Sequence, residues 1–198
     1  MKILEPKYRR LMRALAIPAA LIFVLAIVAM ATGAMSLSYS GVAVDDAGRL
    51  YLGKGGRIEV YEAGQNVGTI KPDVNKSFVF TLRDGQLVLS TGKTVITLDQ
   101  QGNAIASKTD EGGAVYKQLK PQRHSFIAAD GTAYTLRHEM LAAQVTTDDG
   151  TVVYREPGWA NALKPLLGLA GLYVIFAAGY IALDRFATLE ATGHLDQV

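Results

Sequence analysis

The hydrophobic positions of the chain are gathered in two long runs, which flank a region of short, alternating apolar runs. Residues 14–35 contain no charged side chain over 22 positions, and residues 165–183 contain none over 19 positions. An α-helix rises about 1.5 Å per residue, so about 20 residues cross a hydrocarbon core about 30 Å thick. The pattern therefore predicts two transmembrane helices, over residues 14–35 and 163–183.

Proline and small residues in the two runs are compatible with membrane helices. Pro18 lies in the first turns of the first helix, and Pro165 is expected at the first helical position of the second, where a missing N–H costs least. Small residues four positions apart allow helices to approach closely. Such pairs are Ala16 with Ala20, Ala29 with Gly33, and Ala178 with Ala182.

The distribution of basic residues predicts which side of the membrane each segment faces. Five basic residues and one acid precede the first run, whereas the 20 residues after it contain only two basic residues, Arg49 and Lys54. Cytoplasmic flanks retain Lys and Arg, so residues 1–13 are predicted to form a basic cytoplasmic tail. Residues 36–160 are then an extracytoplasmic domain, and residues 184–198 form a second cytoplasmic tail. The predicted location is the cytoplasmic membrane, crossed twice.

The first run has a second possible interpretation. A basic start, an apolar stretch and the tripeptide Ala29-Met30-Ala31 also fit a cleaved secretory signal. The apolar stretch is longer than the usual 7–15 residues of such signals, which favours an uncleaved signal anchor. The region 36–160 lies outside the cytoplasm under either interpretation.

The region between the runs has the spacing of short strands joined by glycine turns, and this spacing occurs three times. In each copy a first turn glycine is followed 16 to 19 residues later by a second. Tight hairpin turns need a residue that accepts positive φ, which glycine does at low cost. A period of about 40 residues with four short strands is typical of a propeller blade. The three glycine pairs are Gly48 with Gly64, Gly85 with Gly102, and Gly131 with Gly150.

Residues 41–52, Gly-Val-Ala-Val-Asp-Asp-Ala-Gly-Arg-Leu-Tyr-Leu, resemble a blade of the NHL-type or quinoprotein-like β-propellers. So do residues 84–89, Asp-Gly-Gln-Leu-Val-Leu, with their continuation to Gly102. The resemblance covers residues 41–154, in about three copies. It implies an all-β domain of propeller-like or β-meander repeats. Propellers usually have four to eight blades, so three copies imply a ring completed by a second subunit, as in a homodimer, or a non-propeller stack or sandwich.

Composition narrows the kind of partner and chemistry. Residues 36–160 hold 13 Lys and Arg against 14 Asp and Glu, and this near-neutral balance disfavours nucleic-acid binding. The chain has no cysteine, so thiol catalysis and thiolate metal sites are excluded. An outer domain without disulfide bonds must be stabilised by its own hydrophobic core. The absence of cysteine fits a protein of the bacterial envelope. Residues 108–123 are polar and irregular, and no long helix is predicted inside the domain.

Each motif that suggests chemistry has a plainer explanation. Residues 90–94, Ser-Thr-Gly-Lys-Thr, end like a phosphate-binding loop, but Leu87 stands where that loop needs glycine and strands flank the motif. A hairpin turn is the better interpretation. His138 and Glu139 are adjacent, so in a strand they point to opposite faces and cannot share a metal. The two remaining histidines, His124 and His194, are predicted to lie on opposite sides of the membrane.

Three acid pairs could suggest calcium binding or paired-carboxylate catalysis, but turn chemistry explains them better, because Asp accepts local main-chain hydrogen bonds there. They are Asp45-Asp46, Asp110-Glu111 and Asp148-Asp149. The sequence therefore predicts no catalytic, metal-binding or cofactor-binding residue and no cofactor.

The preferred hypothesis is a membrane-anchored, non-enzymatic β-repeat protein that presents a binding or sensing domain outside the cytoplasmic membrane. Its partners are the lipid bilayer and either other proteins or a second copy of the chain. One alternative is an accessory or assembly subunit of a larger membrane complex. The other is an envelope enzyme in which acids at equivalent turns, Asp84 and Asp130, converge.

Overall fold

The computed structural model describes residues 6–32, 35–74, 77–139 and 142–191. These residues form three α-helices, a 3₁₀ turn at Glu111–Gly113, and twelve strands. The helices are α1 (Pro6–Thr32), α2 (Ala114–Gln122) and α3 (Gly158–Ala191). The strands are β1 (Tyr39–Val44), β2 (Leu50–Lys54), β3 (Arg57–Glu62), β4 (Gln65–Ile70), β5 (Val79–Arg83), β6 (Gln86–Ser90), β7 (Thr94–Leu98), β8 (Ala104–Thr109), β9 (Ser125–Ile127), β10 (Ala133–Glu139), β11 (Ala142–Thr147) and β12 (Val152–Arg155).

The chain divides into two compact units, one of which consists of α1 up to Ala29 and of α3 from Trp159. Ala14–Thr32 in α1 and Gly158–Ala182 in α3 are long and apolar enough, by length and composition, to cross a membrane. Within this unit the Tyr173 hydroxyl of α3 donates a hydrogen bond to the main-chain carbonyl of Met12 in α1. The two apolar helices therefore contact each other.

One expectation about the helices is wrong in detail. Pro165 is not at the first helical position but inside α3, which begins at Gly158, and at this interior position it removes a main-chain hydrogen bond. Of the small residues in the predicted pairs, Ala29 is buried, whereas Ala16, Ala20, Ala178 and Ala182 are exposed. The other buried residues of the two helices are Ala19 and Ala26 in α1 and Ala160, Leu163 and Ala170 in α3. Gly33 lies outside the described residues.

The second unit, Met30–Gly158, contains the β structure as three four-stranded antiparallel sheets. In each sheet the strands pair in chain order, so each is a meander. We call them blade 1 (β1–β4), blade 2 (β5–β8) and blade 3 (β9–β12). This arrangement confirms the three predicted copies of four strands.

Two-residue turns of the predicted kind join strands within the blades. Asp84 and Gly85 connect β5 to β6 with φ of 49° and 72°, and Ala63 and Gly64 connect β3 to β4 with φ of 49° and 78°. Positive φ at both central residues defines the type I′ turn, whose twist matches that of the flanking strands. Asp tolerates this conformation, whereas Ala63 holds it with the steric cost of a Cβ.

Blade 1 packs between the other two blades. One of its faces, with Leu50, Leu52 and Tyr61, forms a core with residues of blade 3 such as Leu136 and Val145. Its other face, which includes Tyr51, Ile58 and Val60, forms a second core with blade 2. The strands β1, β2 and β3 are therefore buried almost throughout. The blades stack in the order 2-1-3 rather than in chain order.

A short helix occupies part of the segment that the sequence marks as irregular. The Asp110 carboxylate accepts hydrogen bonds from the main-chain N–H groups of Val115 and Tyr116, at 2.9 and 3.0 Å. It therefore satisfies donors that a helix start leaves without partners. Leu119 of α2 is 1% exposed, and α2 contacts β5 and β6 of blade 2. The helix forms because one aspartate fixes its first turn and one leucine anchors it on the blade.

Candidate functional site

Charged and phenolic side chains are buried together where blade 1 meets blade 3. Lys54, at the end of β2, is 2% exposed, and Glu59, in β3, is 5% exposed. The Lys54 Nζ lies 2.7 Å from Glu59 Oε2, and it donates hydrogen bonds to the hydroxyls of Tyr61 at 2.9 Å and Tyr154 at 3.0 Å. We call these four residues the Lys54 cluster.

The strand register explains why the cluster forms. Residues 52 and 59 are paired across β2 and β3, as are residues 54 and 57, so Lys54 and Glu59 lie on one face of blade 1. Tyr154 comes from β12 of blade 3, and its ring centroid lies 4.8 Å from that of Tyr61. The cluster therefore ties the first blade to the third.

The groups of the Lys54 cluster satisfy one another. The Tyr61 hydroxyl donates to Glu59 Oε2, and the Lys54 Nζ lies 5.4 and 5.2 Å from the ring centroids of Tyr61 and Tyr154. Burial, and next the hydrogen bond to Glu59, raises the pKa of the Tyr61 phenol above its ordinary value. A buried ion pair of this kind is compatible with folding because each charge has close polar partners.

A second buried carboxylate lies near this interface. Glu156 is 1% exposed and accepts hydrogen bonds from the main-chain N–H groups of Ser36 and Ala143, both at 3.3 Å. Burial, and next the charge of Glu156, raises the pKa of Tyr39. Ser36 precedes β1 and Ala143 lies in β11, so Glu156 also links blade 1 to blade 3.

A cleft of about 280 Å³ opens beside the Lys54 cluster. Its lining includes Asn66 of β4 and Arg155 and Pro157 at the end of blade 3. Lys54, Glu59 and Tyr154 reach its wall, but their polar groups contact one another.

The structure places the sequence candidates in turns. Residues 90–94 join β6 to β7, and the Ser90 hydroxyl accepts from the N–H of Gly92 at 3.0 Å and donates to Asp110 at 2.6 Å. These local bonds fit the predicted hairpin turn. The hydrogen bond from Ser90, opposed by burial, lowers the pKa of the Asp110 carboxyl.

The acids of the other pairs are also bound to their own turns. Asp45 accepts from the N–H groups of Ala47 and Arg49 at 3.1 and 2.8 Å. Asp149 accepts from the N–H of Thr151 at 2.9 Å. Asp45 also accepts from the Tyr51 hydroxyl at 3.1 Å, and burial, with the charge of Asp45, raises the pKa of Tyr51 to about 12.

The two acids of the enzyme alternative occupy the first turns of blades 2 and 3. Asp130 accepts from the N–H of Thr132 at 2.9 Å, and this bond lowers its pKa. Asp84 lies in the type I′ turn described above. Within the described ranges no group of three His, Asp or Glu side chains could hold a metal ion, and His194 lies outside those ranges.

Sequence reasoning missed the Lys54 cluster. In an alternating strand, Lys54 and Glu59 would be assigned to a solvent face. The available signal was the composition of β2 and β3, whose apolar residues occupy consecutive positions such as Tyr51 and Leu52. Continuous apolar runs are typical of strands buried on both faces, and a charge in such a strand needs a partner.

Comparison with known proteins gives a fold likeness only. No family model matches the chain, and no curated protein matches it. The solved structures to which it is similar include propeller-type proteins, which confirms the resemblance to propeller blades. One is a protein of unknown function from Bacteroides caccae, at 13% identity and a TM-score of 0.32. Others are virginiamycin B lyase from Staphylococcus aureus, at 13% and 0.32, and BamB from Moraxella catarrhalis, at 16% and 0.31.

The likeness covers only part of each of these proteins. The matched region is 58%, 58% and 59% of this chain, but only 44%, 39% and 36% of the respective neighbours. The chain thus spans less than half of their length. The blade assignment itself rests on the order and register of the strands.

Proposed function

We propose that this chain is a membrane-anchored, non-enzymatic β-repeat protein that presents a protein-binding or sensing domain outside the cytoplasmic membrane. The observation that carries the proposal is the order along the sequence, in which three stacked blades lie between two helices that are each apolar and long enough to span a bilayer. The basic residues before α1 support a cytoplasmic amino terminus.

The outer strands offer a surface for a partner. The fourth strand of each blade carries an exposed branched apolar residue two or three positions after its turn glycine: Val67 in β4, Ile105 in β8 and Val152 in β12. Strands β4 and β8 are mostly exposed and each pairs on one side only. An unpaired strand edge with apolar side chains can accept a partner segment.

The alternative of an accessory subunit places the partner against the helices instead. Phe176 and Ile175 in α3 are 72% and 68% exposed, and Ile17 in α1 is 70% exposed. Lipid or a partner helix would cover these side chains in a membrane. Both proposals predict a contact, but on different parts of the chain.

Site-specific photo-crosslinking in cells separates the two. A photoreactive amino acid is placed at Val67, Ile105 or Val152, at Phe176, or at the exposed control position Asp46. We expect cross-links from the blade positions, to another protein or to a second copy of the chain, and none from the control. Cross-links only from position 176 would support the accessory subunit, and none from any position would contradict both proposals.

A further inference from the structure

A second cleft, of about 430 Å³, lies between blade 1, the start of blade 2 and α2. We call it the α2 cleft. Serine residues from two segments line it, at Ser38, Ser40 and Ser77, together with Tyr116 of α2. Pockets of this size hold small organic ligands.

The charge of the α2 cleft is of one sign. Lys120 and Arg123 line it, whereas no Asp or Glu belongs to its lining as the structure describes it. The two cations are three residues apart at the end of α2, so they lie on one helix face. Neither has a carboxylate within ion-pair distance among the described residues.

Each cation has one further contact. Arg123 Nε donates to His124 Nε2 at 2.9 Å, and the Lys120 Nζ lies 5.8 Å from the centroid of the Tyr116 ring. Cations near a helix carboxyl end also interact favourably with the helix dipole.

Ser40 contributes to the wall of the cleft but not as a donor. Its Oγ atom is buried against Gly53 and has no hydrogen-bond partner among the described residues. The hydroxyls left to a ligand are therefore those of Ser38 and Ser77, both of which are exposed. The mouth is open at the Gly55-Gly56 turn, where an added Cβ would meet nothing within 4 Å.

We propose that the α2 cleft binds a phosphate group carried by a small organic molecule. Lys120 and Arg123 supply charge-assisted donors, and the serine hydroxyls supply neutral donors, the combination that phosphate oxygens accept. The phosphate belongs either to a soluble ester or to a lipid headgroup. Only the lipid source depends on the proposed membrane anchoring. Ser38, which lines the cleft, follows the end of α1 by six residues in the sequence.

The test uses the full chain purified in a non-ionic detergent, with glycerol 3-phosphate as the probe and isothermal titration as the measurement. The variant K120Q/R123Q removes both cations. The control K71Q/R137Q removes two exposed cations outside the cleft. We expect the first variant to bind at least tenfold more weakly than the control, and added salt to weaken binding by the control protein.

A third variant, S77A, separates binding from folding. Ser77 lines the cleft and is exposed, so removing its hydroxyl should leave the melting temperature unchanged while it weakens binding several-fold. Equal affinity of all variants would overturn the proposal. The proposal would also be overturned if the wild-type chain bound neither probe. That means no binding of glycerol 3-phosphate in detergent, and no tighter binding to phosphatidylglycerol nanodiscs than to phosphatidylcholine nanodiscs. Binding to the ester alone indicates a soluble ligand, and binding to the phosphatidylglycerol discs alone indicates a headgroup.

Discussion

Neutralising Glu59 is predicted to destabilise the β domain strongly. The variant E59Q leaves the Lys54 ammonium, 2% exposed, without the carboxylate that lies 2.7 Å away. Removing one member of a buried ion pair typically costs about 3–5 kcal/mol. For a domain of this size that loss corresponds to a fall in Tm of roughly 10–20 °C.

The same strand supplies a matched control. Glu62, three residues along β3, is exposed, so E62Q should change stability by no more than about 0.5 kcal/mol. A double variant, K54M/E59L, removes both charges and leaves the hydroxyls of Tyr61 and Tyr154 to pair with each other. Replacing a whole buried pair by apolar residues is often neutral, so the double variant should be more stable than E59Q.

Thermal unfolding of the full chain in detergent measures these changes through near-ultraviolet circular dichroism of its tyrosines. All nine tyrosines and the one tryptophan contribute to this signal, so it reports on the loss of fixed tertiary packing in the whole chain. If E59Q and E62Q unfolded within about 0.5 kcal/mol of each other, the ion pair would not be what holds this interface, and the reasoning above would be refuted.

Two further stability predictions concern local conformation. The variant A63G removes the Cβ from a residue held at φ 49° and should raise the free energy of unfolding by about 0.5–1 kcal/mol. The variant G64A adds a Cβ at φ 78° and should lower it. If denaturant unfolding gave the same change for both variants, the turn assignment would be contradicted. The pKa of the Asp110 carboxyl is lowered in the folded protein, so the ionised carboxylate stabilises the fold at pH values above the unfolded-state pKa of about 3.9. This contribution is lost as pH falls through the lower pKa of the folded state. The Tm gap between wild type and D110N should therefore stay constant from pH 7 to pH 5 and shrink below about pH 4, while D46N, at an exposed aspartate, should show no such gap; a gap independent of pH would count against the role of Asp110.

Local chemistry made part of the fold predictable. An Asp-Gly dipeptide such as Asp84-Gly85 restricts the chain to few turn types, because both residues accept positive φ. Glycines at a regular interval therefore mark the hairpins, and from them the number of strands and blades follows. The long uncharged runs likewise marked both helices, since a run of about 20 apolar residues is longer than a strand and favours one continuous helix.

Packing between blades could not be predicted in this way. The period of a strand shows which residues share a face, but not whether the second face meets water or another sheet. Lys54 and Glu59 are buried because blade 1 lies in the middle of the stack, and that order follows from contacts between residues about 100 positions apart, such as Lys54 with Tyr154. The start of α2 depended on one side chain, Asp110, reaching the N–H groups of Val115 and Tyr116.

The most direct test of the proposed membrane arrangement is cysteine accessibility, because the chain has no cysteine of its own. Single variants D46C and K108C in the β domain, and K2C and H194C in the tails, are treated with a membrane-impermeant maleimide in intact spheroplasts and again after permeabilisation. We expect positions 46 and 108 to react in intact spheroplasts, and positions 2 and 194 to react only after permeabilisation. Protection of positions 46 and 108 in intact spheroplasts, or recovery of the whole chain in the soluble fraction without detergent, would contradict it.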